Sequence, residues 1–491
     1  MKKEIYINGR IIGAEGDFSQ KEAMVVGDGK FLFFGKNEDA EKFADESSSV
    51  INLYGKFVAP KFYDAHLHLI EGGLSLERLD LSNVRSKKEF QEKLYCFSKK
   101  NEDDWIIGMN WTEKNFRGEV PEKSWVDKVL PDRPVILYRM DLHTALLNSR
   151  ALEIAGIDKN FRAPDDGKIE RIEGETTGIV KDAALFYVNK FIPEPSLNKK
   201  LSALKRGIEE AEKFGLAGVQ EMLFDIGNLE VYRKLCEERF RDNFHISISI
   251  PIEKVNEFAD KDLQLCNNIK IVGVKGFADG SLGAKTAWFF KPYKDDPGNF
   301  GLQTGALKSG SLLRNAIIAD KMGLRISIHA IGDRAVNEVL NIYEKVREEN
   351  PSSDVSHRIE HAQHVLTADI KRFRELNITA SVQPYHLYYD KAQIIKLRGV
   401  EELENSFPVK KFLEQKVAVA FGTDFPVVSL NPLKGIKLIT GGYHKEIGNV
   451  ESITIEEAIK CYGENSSKAM IIDDAAQLKI GNKAEFIEFT L

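Results

Sequence analysis

The residues of this 491-residue chain with the most chemical reach are two histidines one position apart, His66 and His68, at the end of the run from Lys56 to Phe62. In an extended strand, residues i and i+2 point to the same side, so both imidazoles would leave the strand end together. Paired imidazoles are a metal-chelating arrangement. The same spacing also occurs in histidines that face solvent or hydrogen-bond in a core, so the pair gains meaning only from partners further along. Those partners are present. Lys275 ends the apolar run Ile271-Val272-Gly273-Val274, His329 follows Leu324–Ile328, His361 follows Glu360, and Asp424 follows Gly422-Thr423.

Lys275 asks for its own chemistry. A buried ammonium beside two cations is strongly destabilised, so its pKa falls and the neutral amine is favoured. A neutral lysine takes up CO₂ to form a carbamate, whose two oxygens can bridge two metals. A lysine at this place could equally snorkel to solvent or bind a substrate carboxylate. The residue alone leaves all three open.

Such a set needs a scaffold that brings distant strand ends to one point. Strand-like runs precede His66 and recur at Ala217–Met222, His245–Ile250, Lys270–Phe277, Leu324–Ile328, Val355–Ile359, Ile378–Val382 and Val417–Phe421. Helical patterns lie between them. From Leu197 to Phe214, for example, Leu201, Leu204, Ile208 and Ala211 share a face before Gly215 ends the run. Eight alternating units predict an α/β fold of the (β/α)₈ TIM-barrel type, with a doubly wound sheet as runner-up. Barrel active sites form at the C-terminal strand ends, where these side chains stand.

The flanks read differently. Residues 1–58 contain short β-rich runs with hairpin signals at Asn8-Gly9 and Asp28-Gly29, and residues 470–491 repeat that character. Both termini are expected to form one small β-sandwich, leaving 59–469 for the barrel with an insertion at about 72–196. In the insertion, Asp103–Gly108 and Arg133–Tyr138 read as strands, Ala145–Ala155 as a helix, and the acidic stretch Asp165–Gly178 as a loop.

Composition narrows the class. With 69 basic and 75 acidic residues the net charge is -6, which offers no general footprint for nucleic acid or acidic membranes. Four scattered cysteines without a C-x-x-C pair predict reduced thiols and no disulfide frame. Glu4, Asn8 and Arg10 interrupt any apolar signal core, and no apolar run is long enough to span a bilayer. A cytoplasmic location is the expectation. Gly283-Ala284-Lys285-Thr286 echoes a phosphate loop, but Ala284 breaks the required Gly-Lys step.

The ordered motifs carry a resemblance. Pro60–Leu69, Val274–Gly283, His329–Ala335, His357–Gln363, Ser381–Pro384 and Phe421–Pro426 together resemble the amidohydrolase superfamily, in particular the subgroup of N-substituted formamide deformylase and the exoenzyme-regulator-like hydrolases. Gly108–Trp111, Asp141–His143 with Asn148-Ser149, and Gly174–Gly178 extend the likeness into the insertion. The resemblance implies two divalent metal ions, commonly Zn²⁺ with Mn²⁺ or Fe²⁺ as alternatives. His66 and His68 would hold one, His329 and His361 the other, with carbamylated Lys275 and a hydroxide bridging. Asp424 would ligate the first metal and act as catalytic general base and acid. The implied activity is hydrolysis of a C–N bond in a small amide-like molecule, by a protein that commonly forms homodimers. Deamination and lactone or ester hydrolysis on the same scaffold are the alternatives, and an inactive binding relative is the non-enzyme reading. Trp111, His143, Asp279 and His386 are weaker candidates for substrate contact. Two positions depart from the pattern: Lys61 replaces the usual Gly, which predicts a changed turn, and Lys483-Ala484-Glu485 ends in Glu where Asp is usual.

Overall fold

Eight parallel strands, each hydrogen-bonded to the next in chain order, form the centre of the computed structural model, which describes residues 2–139, 144–164, 167–259, 261–443, 451–472 and 477–491. They are β1 (Phe62–Leu67), β2 (Leu216–Met222), β3 (His245–Pro251), β4 (Ile269–Phe277), β5 (Arg325–Ala330), β6 (Arg358–His361), β7 (Thr379–Val382) and β8 (Val419–Phe421). β1, β2, β6, β7 and β8 are buried along their whole length, and the polar side chains they carry, such as Asp64 in β1, Glu221 in β2 and Arg358 and Glu360 in β6, are buried with them. The Asp424 N–H donates to the His66 carbonyl at 2.7 Å and the His68 N–H to Phe425 at 2.8 Å, joining the end of β8 to β1. Gly422 permits that approach, because a Cβ there would lie 2.6 Å from the His66 nitrogen. The architecture is a (β/α)₈ barrel. Helices follow most strands, such as Asp333–Glu349 after β5 and His386–Leu397 after β7, while after β3 a 3₁₀ turn, Ile252–Phe258, takes the helix position.

The chain divides into two compact units, Met1–Gly73 with Leu204–Leu491, and Leu74–Ala203. In the first, a four-stranded sheet (Lys30–Gly35, Ala23–Gly27, Lys3–Ile7, Ser49–Asn52) and a three-stranded sheet (Arg10–Ile11, Phe57–Ala59, Ile487–Phe489) share a core containing Tyr6, Met24, Phe31, Val58 and Leu478. Asp28-Gly29 is the expected hairpin turn, closing Gly27 onto Lys30 with both φ values positive. Asn8-Gly9 is not a hairpin: it carries the chain from one sheet to the other, since Lys3–Ile7 pairs with Ala23–Gly27 while Arg10–Ile11 pairs with Phe57–Ala59. Lys61 is not among the residues with positive φ, and its ammonium lies 3.5 Å from a Glu485 carboxylate oxygen.

The second unit holds a six-stranded sheet, Gly167–Ile172, Glu175–Asp182, Thr144–Leu147, Val135–Arg139, Ile106–Trp111 and Leu79–Asp80 in that order. Two expectations are corrected there. The stretch read as loop is mostly an antiparallel hairpin, turned at Glu173-Gly174 with φ 52° and 85°; its acidic residues masked the apolar positions Ile169 and Ile172. The stretch read as one helix begins as strand Thr144–Leu147, and only Ser149–Ile154 is helical, capped by Asn148. The cysteine expectation also fails. Cys236 and Cys266, thirty residues apart, are joined by a disulfide, because the helix Leu229–Glu237 packs beside the edge strand Gln264–Cys266 and brings the Cα atoms to 5.9 Å. Among the described residues, no helix is long and apolar enough to cross a membrane.

Candidate metal centre

Every ligand expected from the sequence lies at or just beyond the C-terminal end of its barrel strand, and five of the six are buried, with His329 partly so. Asp424 Oδ1 is 3.4 Å from His66 Nε2 and 3.2 Å from His68 Nε2. The His361 ring centroid lies 4.9 Å from that of His66 and 4.5 Å from that of His329. Ligand atoms of His66, His361 and Asp424 all fall within 4.8 Å of one another. Lys275 Nζ sits 5.0 Å over the ring of Phe277, two residues on along the same strand face.

Outer partners orient each imidazole. His68 Nδ1 is 2.8 Å from the Met222 carbonyl and His329 Nε2 is 3.1 Å from the Gly280 carbonyl. A carbonyl only accepts, so these nitrogens carry a proton, which in the neutral imidazole leaves the lone pair on His68 Nε2 and His329 Nδ1, the nitrogens open to a metal. His66 Nδ1 meets Glu360 Oε2 at 2.5 Å, and His361 Nδ1 meets Gln383 Oε1 at 2.8 Å. The buried Arg358 guanidinium secures Glu360 in turn, 2.9 Å from Oε2 and 2.7 Å from Oε1. Outer acceptors of this kind fix the tautomer and raise the basicity of a ligating histidine.

Electrostatics follow from burial and these neighbours. Burial pulls His329 down to about 3 and, with His329 and His66 adjacent, holds His361 well below the imidazole range. Both are therefore neutral, the form that ligates metal. Burial would raise Glu360 and Asp424, but Arg358 with His66 outweighs it for Glu360, and His66 with His68 for Asp424, so both carboxyls sit well below the usual range. Burial lowers Lys275 to about 8 against the opposing pull of Glu360 and Asp424.

The backbone is also unusual here. His361, Ala362 and Asp424 have φ of 72°, 40° and 60°, left-handed conformations that cost non-glycine residues roughly 1–3 kcal/mol each. The turn at His361 explains why both Glu360 and His361, adjacent in a strand, reach the barrel interior. Strain of this kind collects at functional sites.

The weaker candidates separate. His386, at the start of its helix, places Nε2 3.7 Å from Asp424 Oδ2 and stacks nearly parallel on His361 at 6.2 Å. Asp279 is engaged by the backbone: its oxygens accept the N–H groups of Trp288, Ile331 and Gly332, and burial pushes its carboxyl up to about 7. It shapes the loop around His329, whose Nε2 is 3.6 Å away. Trp111 is also structural, 1% exposed in the core of the second unit, with its indole N–H on the Leu137 carbonyl. A large aromatic on an alternating strand fills the core it faces. His143 lies outside the described residues.

The sequence reading passed over four contributors: Glu360, Arg358, Gln383 and Asp64. Asp64 accepts the N–H groups of His66 (3.1 Å) and Thr423 (3.0 Å) and the Thr423 hydroxyl (2.6 Å), tying β1 to the loop that carries Asp424. Burial still pushes its carboxyl up to about 6. The available signal was charge inside otherwise apolar barrel strands: Asp64 in β1, and Arg358 with Glu360 at i, i+2 in β6.

A divalent metal fits this donor set. Imidazole lone pairs and one ionised carboxylate converge in a buried pocket, each imidazole being held by an acceptor on its other nitrogen. Comparison with known proteins agrees. The amidohydrolase family model matches residues 49–489. Protein LONG AFTER FAR-RED 3 of Arabidopsis thaliana is 33% identical, covering 98% of this chain and 86% of that protein. The N-substituted formamide deformylase of Arthrobacter pascens is 24% identical, covering 96% and 90%. The crystal structure of an uncharacterized metal-dependent hydrolase from Pyrococcus furiosus superposes with a TM-score of 0.77 at 28% identity, covering 99% of this chain and 98% of that one. The strand-end histidines, the barrel that gathers them and the full-length match lead to one conclusion: the chain belongs to the amidohydrolase family.

Proposed function

We propose that this protein is a metal-dependent hydrolase that cleaves a C–N bond of a small amide-like substrate. His66, His68, His329, His361 and Asp424 would hold two divalent ions, zinc first and manganese or iron(II) as alternatives, and Lys275 would join this ligand set as its carbamate. Such ions acidify water and polarise a carbonyl. The observation that carries the reading is the convergence of imidazole lone pairs and the Asp424 carboxylate in one buried pocket, with the outward nitrogens already engaged.

The protein's own groups divide the remaining work. Lys275, lowered to about 8, has a larger neutral fraction near neutral pH than an ordinary lysine, and that neutral amine would add to CO₂ and release one proton. Asp424 takes the proton of the attacking water as the new C–O bond forms, then delivers it to the nitrogen as the C–N bond breaks. Its ionised state makes it the base of the first step. His386, whose Nε2 is 3.7 Å from Asp424, would bind the substrate beside that proton transfer. The N-substituted formamide deformylase relative supports an amide as the substrate type.

The test is a screen of metal-loaded protein against formamides, N-acyl amino acids, cyclic amides and lactones, with Asp424→Asn as control. Turnover of amides that is lost in the variant is the expected result. Ammonia release from amino-heterocycles, or lactone opening alone, would move the assignment to the alternative chemistries.

A further inference from the structure

Phe224 is a large apolar side chain left 54% exposed beside the buried centre. Its ring stacks on His68 at 4.2 Å with an interplanar angle of 16°, and lies nearly parallel to Phe277 at 6.4 Å and 15°. Phe277 continues the row to His329 at 5.3 Å and lies under the Lys275 amine. The row thus runs from one expected metal ligand to another along the β2–β4 side of the site. It is also fixed in place. Phe224 follows Met222, whose carbonyl orients His68, by two residues; Leu223 N–H donates to Ser249 at 3.0 Å, and Asp225 caps the next turn through Gly227 N–H. The Phe277 carbonyl accepts the Thr304 hydroxyl at 2.7 Å. Exposed rings occur elsewhere on the surface, Phe186 and Tyr389 among them, but the Phe224 ring is set apart by lying flat on an expected metal ligand. A flat apolar surface of this kind is what an aromatic ring packs on, offset and near-parallel.

We propose that Phe224 and Phe277 form a platform for a planar aromatic substituent of the substrate, so that the preferred substrates are aryl- or arylalkyl-bearing amides. The inference rests on the metal-hydrolase reading. The polar end of the substrate lies toward Asp424 and His386, and its aromatic end covers Phe224.

Three hydroxamates with the same metal-binding head and different tails test this by calorimetric titration of the zinc-loaded protein: benzohydroxamate, cyclohexanecarbohydroxamate and acetohydroxamate. Benzohydroxamate is expected to bind about three- to tenfold tighter than the non-planar ring analogue, the range typical of aromatic pairing. Phe224→Ala should abolish that ratio, with metal content measured alongside. If Phe224→Ala loses metal, Phe224→Leu carries the comparison, since it still covers His68 but presents no flat face. Equal binding of the three tails, or an unchanged ratio in the variants, overturns the platform while leaving the hydrolase reading intact. Binding of no hydroxamate at all overturns both.

Discussion

Replacing Glu360 by Gln is the most informative single perturbation of the centre. Glu360 and Arg358 are both 0% exposed, and Glu360 also receives the His66 Nδ1–H at 2.5 Å. The substitution preserves shape but removes the charge that balances the guanidinium. Arg358 keeps the Ala65 carbonyl at 2.7 Å and the Ser381 hydroxyl at 2.9 Å, together with Gln220. Outright loss of one partner of a buried pair costs about 3–5 kcal/mol, so the isosteric change should fall below that. Outer partners of metal-binding histidines contribute about 10–100-fold in metal affinity. At about 1.4 kcal/mol per tenfold, that is roughly 1.4–2.8 kcal/mol. The expected outcome is a chelator-competition affinity lowered by that factor, with circular dichroism showing a retained fold. The pH dependence has a definite sign. Glu360 is depressed when folded, so its stabilisation is present above its unfolded pKa and is lost only as pH falls through the lower folded value. The acid limb of wild-type unfolding should therefore flatten in the variant. Wild-type affinity and an unchanged acid limb would refute the reasoning.

Asp424→Asn should lower turnover by about 10²–10⁴, as measured by initial rates at saturating substrate. Gly422→Ala places a Cβ 2.6 Å from the His66 nitrogen, so the β8–β1 joint must shift, and a lowered thermal midpoint by calorimetry is expected. Alkylation of the unfolded, unreduced chain should label two thiols, Cys96 and Cys461, by intact mass; four labels would remove the disulfide.

What the sequence disclosed and what it concealed divide along a physical line. Barrel strands and their terminal ligands were legible because a continuous apolar run that ends in His, Lys or Asp is conspicuous against its surroundings. Lys275 and Asp424 stood out for that reason. The partners that orient the ligands were not legible, because Glu360 reaches His66 across 294 positions and Asp64 reaches Thr423 across 359. Backbone carbonyls such as those of Met222 and Gly280 leave no mark on a sequence at all. Likewise, Asn8-Gly9 carries the same local signal as Asp28-Gly29, and only the pairing of remote strands separates a sheet-to-sheet turn from a hairpin. Trp111 and Asp279 misled because residue types suited to substrate contact are equally suited to filling a core or tying a loop.

Metal content tests the central claim most directly. Protein loaded with zinc and bicarbonate, then desalted, should carry two equivalents per chain by elemental analysis. Because burial lowers Lys275 from its unfolded value to about 8, its neutral form gains through this pH region, and loading in bicarbonate should rise from pH 7 to 9. Lys275→Ala should stay folded yet lose metal and turnover together. Less than one equivalent in the wild type, with no activity restored by zinc or manganese, would contradict the account, as would a Lys275→Ala variant with undiminished metal and turnover.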